Sequence, residues 1–576
     1  MYIAVVQSNP TIGALRQNAE AALAAIKKLA EMPYAPDLVV LPSHALTGVN
    51  VKGLHHHDAF AAECMDATKF LIENSPLPTL FGTLIPRPLE DIHSFVCEPE
   101  VIFCSEGKGG ALGFVDLENP WHSARYVSSV DIHIDDRTLT VCMNDFPDSD
   151  DDFKQADVIV MMLAKEYEGT NALFTSSTQE NYLSNLAKKN DAWLVLANLV
   201  GGQDEIVYDG ASLVIDSKGQ VRDCAEPFTE QTLVVNLELD ENSGVLAEVG
   251  KTVKPLLPFE ADWEALKLSI RDFVRKNEFE NVVIGLSGGI DSALTAALAV
   301  EALGAEHVFG VLMPGPFSSE SSVSDSKELA ATLGIQTLTF PITNLFELFK
   351  NESAAQFETE GSAVALENLQ ARLRMLVLMH LSNTHCWLVL NTTNKSESAV
   401  GYSTLYGDTA GAFAPLGNLY KTDLYGLVAW RNAQGRVIPQ SIVDKEPSAE
   451  LSPDQRDADS LPPYDELDRI LRLHIEDDLG IDQILEIAKQ ESGERALDPE
   501  VVASVLDMVS IAEFKRRQEP LAPTLGTVSM NDERNWPLGS GFKDHNRKLV
   551  PHTDVLDYLS SIYLSDGPQG MSILEN

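Results

Sequence analysis

The chain has 576 residues with 44% hydrophobic content, enough for two or more domains that each bury a sizeable core. Acidic residues outnumber basic ones by 86 to 42, and the formal charge of -44 repels phosphodiester backbones and anionic membranes, which argues against nucleic acid as a partner. Six scattered cysteines without a C-x-x-C pair argue against a zinc site or a disulfide framework, and no run of about 18 apolar residues predicts a membrane span.

The opening Met1-Tyr2-Ile3-Ala4-Val5-Val6-Gln7 reads as a strand rather than a signal peptide, so a cytoplasmic chain is expected. Over residues 1–245, short apolar runs at Ile3–Val6, Leu38–Leu41, Thr79–Ile85, Thr138–Met143, Val158–Met162 and Trp193–Ala197 read as buried strands. Apolar residues at helical spacing between Ala14 and Leu29 predict an amphipathic helix covering the first of them. Residues 246–262 form a join, because Lys251, Lys254, Pro255 and Pro258 fall there without periodicity.

From residue 263 to 576 the pattern changes. Trp263, Leu266, Ile270, Phe273 and Val274 mark a helical face leading to a strand that ends at Leu286. Strands at Val308–Met313, Gln336–Phe340 and Trp387–Leu390 alternate with helices near Ala293–Leu303, Ser324–Leu333 and Val364–Leu381. This alternation predicts an α/β, doubly wound parallel sheet with ligands beyond the carboxyl ends of its strands. Residues 540–576 are assigned only as a tail packed on the domain or on a neighbouring subunit.

At the first strand-to-helix turn of this half stands Ser287-Gly288-Gly289-Ile290-Asp291-Ser292, directly after Val282-Val283-Ile284-Gly285-Leu286. Two glycines admit a ligand that a Cβ would block, and the amides opening a helix offer donors and a positive dipole end to phosphate. No Lys follows the glycines as it would in a loop built for γ-phosphoryl chemistry. Asp291 instead suits a magnesium-bound pyrophosphate, hence attack at the α-phosphate of ATP.

The second half resembles NAD synthetase, an ATP-pyrophosphatase-type amide ligase. Beyond the turn, the resemblance rests on Glu367–Met375, Asn391-Thr392-Thr393-Asn394-Lys395-Ser396-Glu397, Gly401–Asp408, Lys421-Thr422-Asp423, Pro447-Ser448-Ala449-Glu450-Leu451, Leu461–Tyr464 and Glu513–Gln518. It implies that Gly285, Leu286, Ser287, Gly288, Gly289, Ile290, Asp291 and Ser292, with Thr392, Lys421 and Ser448, bind ATP. Asp291 and Glu397 would hold Mg2+, and Asp291 and Lys421 would act in catalysis. Asn368, Arg372, Glu397, Asp408 and Lys515 would meet deamido-NAD, in a homo-oligomer of at least two subunits. Taken singly, Arg372 also fits a plain helix surface and Glu397 a helix start. The implied reaction adenylates the nicotinate carboxylate, after which ammonia displaces AMP.

The first half resembles the nitrilase-type glutaminase domain carried by many NAD synthetases, an α-β-β-α sandwich. The likeness lies in Ala4–Gly13, in Leu38-Val39-Val40-Leu41-Pro42 before Ala45–Gly48, and in Gly201-Gly202-Gln203-Asp204 before Asp209–Ser212. Such domains use a Glu, a Lys and a Cys. Here the family's F-P-E-L-A-L-T-G falls on Leu41–Gly48, with Ser43 at the Glu. Its Lys falls near Leu112, the nearest lysine being Lys108, and its nucleophile falls on Met143 or Asn144. Cys142 is out of step, and one residue of shift on a strand turns a side chain to the other face, which predicts an inert core thiol. His44 and the run His55-His56-His57-Asp58 are expected to be ordinary solvated or satisfied groups. The expectation is a synthetase fed by free ammonia; glutamine use through displaced residues, or an amidohydrolase with a nucleotide-sensing half, are the alternatives.

Overall fold

The computed structural model describes residues 1–88, 95–112, 129–143 except 135, 153, 156–169, 177–238, 256–490 except 358 and 360, and 497–538 except 527 and 530–535. Asn144, most of the join and the tail from residue 540 therefore lie outside the described residues.

The first half contains the strands β1 (Tyr2–Gln7), β2 (Leu38–Val40), β3 (Thr79–Pro88), β4 (Phe95–Ser105), β5 (Lys108–Ala111), β6 (Ser129–Ile134), β7 (Arg137–Met143), β8 (Val158–Leu163), β9 (Trp193–Asn198), β10 (Val200–Gln203), β11 (Ile206–Asp209), β12 (Leu213–Ile215), β13 (Val221–Cys224) and β14 (Gln231–Asn236). They form two six-stranded sheets, β14-β1-β2-β3-β4-β5 and β13-β12-β9-β8-β7-β6, plus the hairpin β10-β11. Ile3, Val5, Val40 and Leu80 of one sheet meet Leu139, Val141, Val160 and Met162 of the other. The alternate residues Ala4, Val6, Val39 and Leu41 face the helices α1 (Leu15–Ala30) and α2 (Asp58–Asn74), through Leu23, Ile26, Phe60 and Leu71. On the far side, α3 (Ser177–Asn190) brings Leu183 and Leu186 against Ile159, Met161, Leu194 and Leu196. Strands that are apolar on both faces thus build the four-layer α-β-β-α sandwich.

Helix α4 (Pro258–Lys276) opens the second half and begins inside the span read as the join. Pro258 at its first position and Glu260 in its first turn suit a helix start. There follow β15 (Val282–Gly285), α5 (Ile290–Leu303), β16 (Val308–Leu312), α6 (Glu320–Leu333), β17 (Gln336–Thr339), α7 (Thr343–Phe357), α8 (Ala363–His385) and β18 (Leu388–Val389). The sheet order is β17-β16-β15-β18, and every pair is parallel. One face is covered by α4 and α5, through Trp263, Leu266, Ala293 and Leu294, and the other by Met375, Val377 and Leu378 of α8. The chain winds from β15 towards β17 and returns to add β18 on the opposite side of β15, which places a switch point at the end of β15. Helices α9 (Lys395–Val400), α10 (Lys421–Ala433), α11 (Gln440–Asp444), α12 (Tyr464–Ile475), α13 (Ile481–Gln490) and α14 (Pro499–Arg516) complete the half. Among the described residues, no helix is long and apolar enough to cross a membrane.

Candidate active site

A cavity of about 520 Å³ opens at the carboxyl ends of β15, β16 and β18, where a doubly wound sheet places its ligands. Gly285, Leu286, Ser287, Gly289, Ile290 and Asp291 form one wall, Leu312 to Pro314 a second, and Leu390 to Thr393 a third.

The turn after β15 is shaped by its glycines. Gly288 has φ +80°, and a Cβ there would lie 2.5 Å from the Ser322 carbonyl oxygen. Ser292 Oγ donates to the Gly289 carbonyl at 3.1 Å and accepts from Ser287 N–H at 3.3 Å, folding the turn back on the helix. Gly289 is the N-cap of α5, and no side chain caps the helix. Its first-turn amides remain for an anion, at the positive end of the dipole. Gly288 and Ser292 therefore shape the turn, while Ser287, Gly289 and Asp291 line the cavity.

Asp291 is held from two distant segments. Asn394 Nδ2 donates to its Oδ1 at 2.8 Å, and Lys421 Nζ to its Oδ2 at 2.6 Å. Lys421 also donates to Glu397 Oε1 at 3.3 Å. Asn394 is the N-cap of α9, its Oδ1 accepting from the Glu397 N–H at 3.0 Å, so one amide side chain starts the helix and orients the acid. The Glu397 side chain itself stays with the acid cluster rather than capping. Burial pushes the Glu397 carboxyl up to about 8; Lys421 opposes this and Asp291 adds to it. Burial also works against the charge on Lys421, but Asp291 and Glu397 outweigh it and hold the ammonium well above the usual lysine value. Lys421 stands at the first position of α10 with its backbone N–H donating to Ser396 Oγ at 2.8 Å.

Two half-buried carboxylates around one buried ammonium leave room for a further positive charge. Among the described residues no group of three or more His, Cys, Asp or Glu is arranged as a complete metal cage. Asp291 and Glu397 match the smaller protein share that Mg2+ takes when substrate phosphates supply the remaining oxygens.

The residues expected to meet the dinucleotide are organised differently from the ATP set. Asp408 lines the cavity, whereas Asn368, Arg372 and Lys515 do not. All four hold the loop between Gly401 and Asp408. Lys515 Nζ donates to the carbonyls of Gly401 and Ser403, both at 2.7 Å. Arg372 Nε donates to the Leu405 carbonyl at 3.1 Å, and Thr404 Oγ1 to Asn368 Oδ1 at 2.8 Å. Asp408 Oδ1 accepts the Thr404 N–H at 2.5 Å. Burial raises the Asp408 carboxyl to about 6 against the pull of that amide and of Lys515. Thr392 and Ser448 line the cavity, and Ser448 Oγ also donates to the Gln455 carbonyl at 2.6 Å.

Several lining residues escaped sequence reading. Lys445 donates to Ser322 Oγ at 3.1 Å and pairs with Asp325 at 2.6 Å. Arg374 donates to the Met313 carbonyl at 3.2 Å, and Asp457 accepts from Tyr402 and Tyr464. Asn394 was legible, since Asn three residues before Glu at a helix start is a capping signature. Lys445 and Asp457 carry no such local signal.

In the first half Ser43 is fully buried, and neither its Oγ nor His44 Nδ1 finds a hydrogen-bond partner. The expectation of a solvated or satisfied His44 is thus corrected: it sits at φ 57° beneath β3, and burial lowers its imidazole to about 4, so it is neutral. The backbone of β3 presses on this turn, for a Cβ on Gly82 would lie 2.5 Å from Ser43 Cα. Leu112 packs into the core between the sheets, and Lys108 is exposed. Cys142 is buried in the helix-side core with Ile159 and Met161, while Met143 faces the inter-sheet core. His55, His56 and His57 lie at the surface or half-buried.

Residues 262–519 match the family model described as NAD synthase. The protein is a carbon–nitrogen ligase. The glutamine-dependent NAD(+) synthetase of Synechocystis sp. is 32% identical over 576 aligned positions, covering 94% of this chain and 99% of that one. That of Thermotoga maritima is 40% identical over 397 residues, 64% of this chain and 68% of its own. The chain belongs to the family of glutamine-dependent NAD(+) synthetases. The structure of the Acinetobacter baumannii enzyme in complex with ADP superposes with a TM-score of 0.67 at 29% identity, covering 95% and 99% of the two chains. The Cytophaga hutchinsonii enzyme, at 19% identity and a TM-score of 0.77 over 94% and 98%, shares the fold.

Proposed function

We propose that the second half amidates deamido-NAD to NAD through an acyl-adenylate, with release of AMP and pyrophosphate, and that it draws on free ammonia. The observation that carries the reading is the meeting of the main-chain turn with Asp291, Glu397 and Lys421 in one cavity. A carboxylate is a poor acyl electrophile, and its adenylate a good one. The amides opening α5 would hold the phosphates as they leave, and Lys421 would neutralise charge growing there. Mg2+, held by Asp291 and Glu397, would supply electrostatic stabilisation of the diphosphate. No protein nucleophile is required.

Support for ammonia as the nitrogen donor comes from the first half. A glutaminase needs a base, a cation and a thiolate at one centre. Ser43 has no acidic group, Leu112 is packed in a core, and Cys142 points to the helix layer. The names of the relatives favour a second reading, glutamine use through displaced residues. One assay separates the two: deamido-NAD amidation with ATP and Mg2+, supplied with either ammonium or glutamine. Turnover with ammonium alone is expected; efficient turnover with glutamine would overturn the ammonia reading.

A homo-oligomer is supported by exposed apolar side chains concentrated on α7 and α8, among them Leu348, Phe349, Phe357, Val364 and Leu376. Sedimentation of the pure protein as a monomer would exclude it.

A further inference from the structure

The sandwich motifs that serve no evident chemistry form a seam with α4. Asp272 of α4 is buried and accepts from Gly202 N–H at 2.8 Å and from Asn9 Nδ2 at 2.7 Å. One turn later, Lys276 donates to Asn9 Oδ1 at 2.6 Å, to the Gly202 carbonyl at 2.9 Å and to the Pro10 carbonyl at 3.2 Å. The ammonium has three protons and finds three acceptors, all in the first half. Asn9 is engaged at both ends of its amide, which fixes its orientation.

Close approach here favours glycine. A Cβ on Gly202 would lie 3.2 Å from Ser269 Cα and 3.3 Å from Asp272 Cβ. Two further ties flank this contact: Tyr167 Oη donates to Asp262 Oδ1 at 2.8 Å, and Thr524 N–H to the Glu205 carbonyl at 2.7 Å. Between them the apolar core is continuous. Tyr167, Val200, Val207 and Phe228 of the first half share one cluster with Trp263, Leu266 and Ile270 of α4 and with Ile290 and Leu294 of α5. Ile290 and Asp291 open α5, so the cluster runs from the sandwich to the turn that lines the cavity.

We propose that the first half is a clamp on α4, with Asn9, Gly202, Asp272 and Lys276 as positioning residues for the ATP turn. This gives the Asn9-Pro10 and Gly201-Gly202 motifs a use that needs no amidase. The inference rests on the reading of the cavity as the ATP site and is independent of which nitrogen donor is used. Burial holds the Lys276 ammonium below the usual lysine value despite Asp272, so removing an acceptor in the first half leaves a largely buried charge that Asp272, 3.6 Å away, only partly compensates.

The test uses the full chain with Asn9→Ala, Lys276→Met and the double variant, and Gly202→Ala as a substitution that wedges the seam without removing a charge. Wild type should unfold in one calorimetric transition, and Lys276→Met in two. With saturating ammonium, kcat should fall about tenfold while the KM for deamido-NAD stays within about twofold, as expected when a distant change misplaces the reacting groups. Hydrogen exchange at the amides of residues 287–292 should quicken. The double variant should be no worse than the poorer single one, because both break one network. A single transition with unchanged exchange in both Lys276→Met and Gly202→Ala, or additive effects, would overturn the clamp. Should wild type fail to amidate deamido-NAD, the unfolding and exchange measurements would still decide the clamp while the functional reading fell.

Discussion

The ammonium of Lys421 stands 2.6 Å from Oδ2 of Asp291, although the two residues are 130 apart in sequence. Glu397, 3.3 Å from the same ammonium, completes a cluster of two half-buried acids around one buried base. Lys421→Met is therefore expected to lower ATP-dependent turnover by about 10²- to 10³-fold, the cost of losing a preorganised donor to developing charge. It should also destabilise the fold by about 1–3 kcal/mol, because two half-buried carboxylates lose their shared ammonium. Pyrophosphate release and thermal unfolding measure the two effects, and a variant with turnover within a few-fold of wild type would remove Lys421 from the chemistry.

Gly288 has φ +80° and lies against the Ser322 carbonyl. Gly288→Ala adds about 1–2 kcal/mol of left-handed strain and a contact with backbone that cannot rotate away. ATP binding, followed by titration calorimetry, should be lost or severely weakened with the sandwich half unaffected. Unchanged affinity would show that the turn does not hold phosphate.

Protons and Mg2+ should compete for Glu397. Its carboxyl is raised to about 8, chiefly by burial, so below that pH the proton must leave before the cation binds. The magnesium concentration for half-maximal turnover should rise by about tenfold per pH unit as pH falls from 8 to 6. Glu397→Gln should flatten that dependence. A magnesium requirement independent of pH would exclude Glu397 as a ligand.

Asp209 is fully buried beside Asn198, whose Nδ2 lies 3.3 Å from its Oδ1. Burial raises its carboxyl to about 8, with Lys165 opposing. The folded value exceeds the unfolded one, so this group's contribution is complete below about pH 4 and is lost as pH rises through 8. Asp209→Asn, which keeps the shape without the ionisation, should make unfolding less sensitive to pH between 5 and 8. Equal slopes for wild type and variant in denaturant titrations would refute the assignment.

Local rules made much of the architecture legible. The turn Ser287–Ser292 and the strands β1, β7, β8, β9, β15 and β16 have apolar runs or glycines whose meaning depends on near neighbours. β4 escaped because Cys97-Glu98-Pro99-Glu100 interrupts its apolar pattern, and only pairing with β3 and β5 makes that segment a strand. The burial of His44 has no local signature, because it depends on β3 crossing above the turn after β2.

The glycine turn and the apolar strands on either side of it were decided by residue identity alone, since conformational freedom and periodicity are properties of a short stretch. Tertiary structure alone decided that Lys421 and Asn394 converge on Asp291, that Arg372 and Lys515 grip the loop before Asp408, and that Asn9 binds Lys276. Such pairings are set by how packed layers bring distant segments into register, and no local pattern encodes a distance across the core.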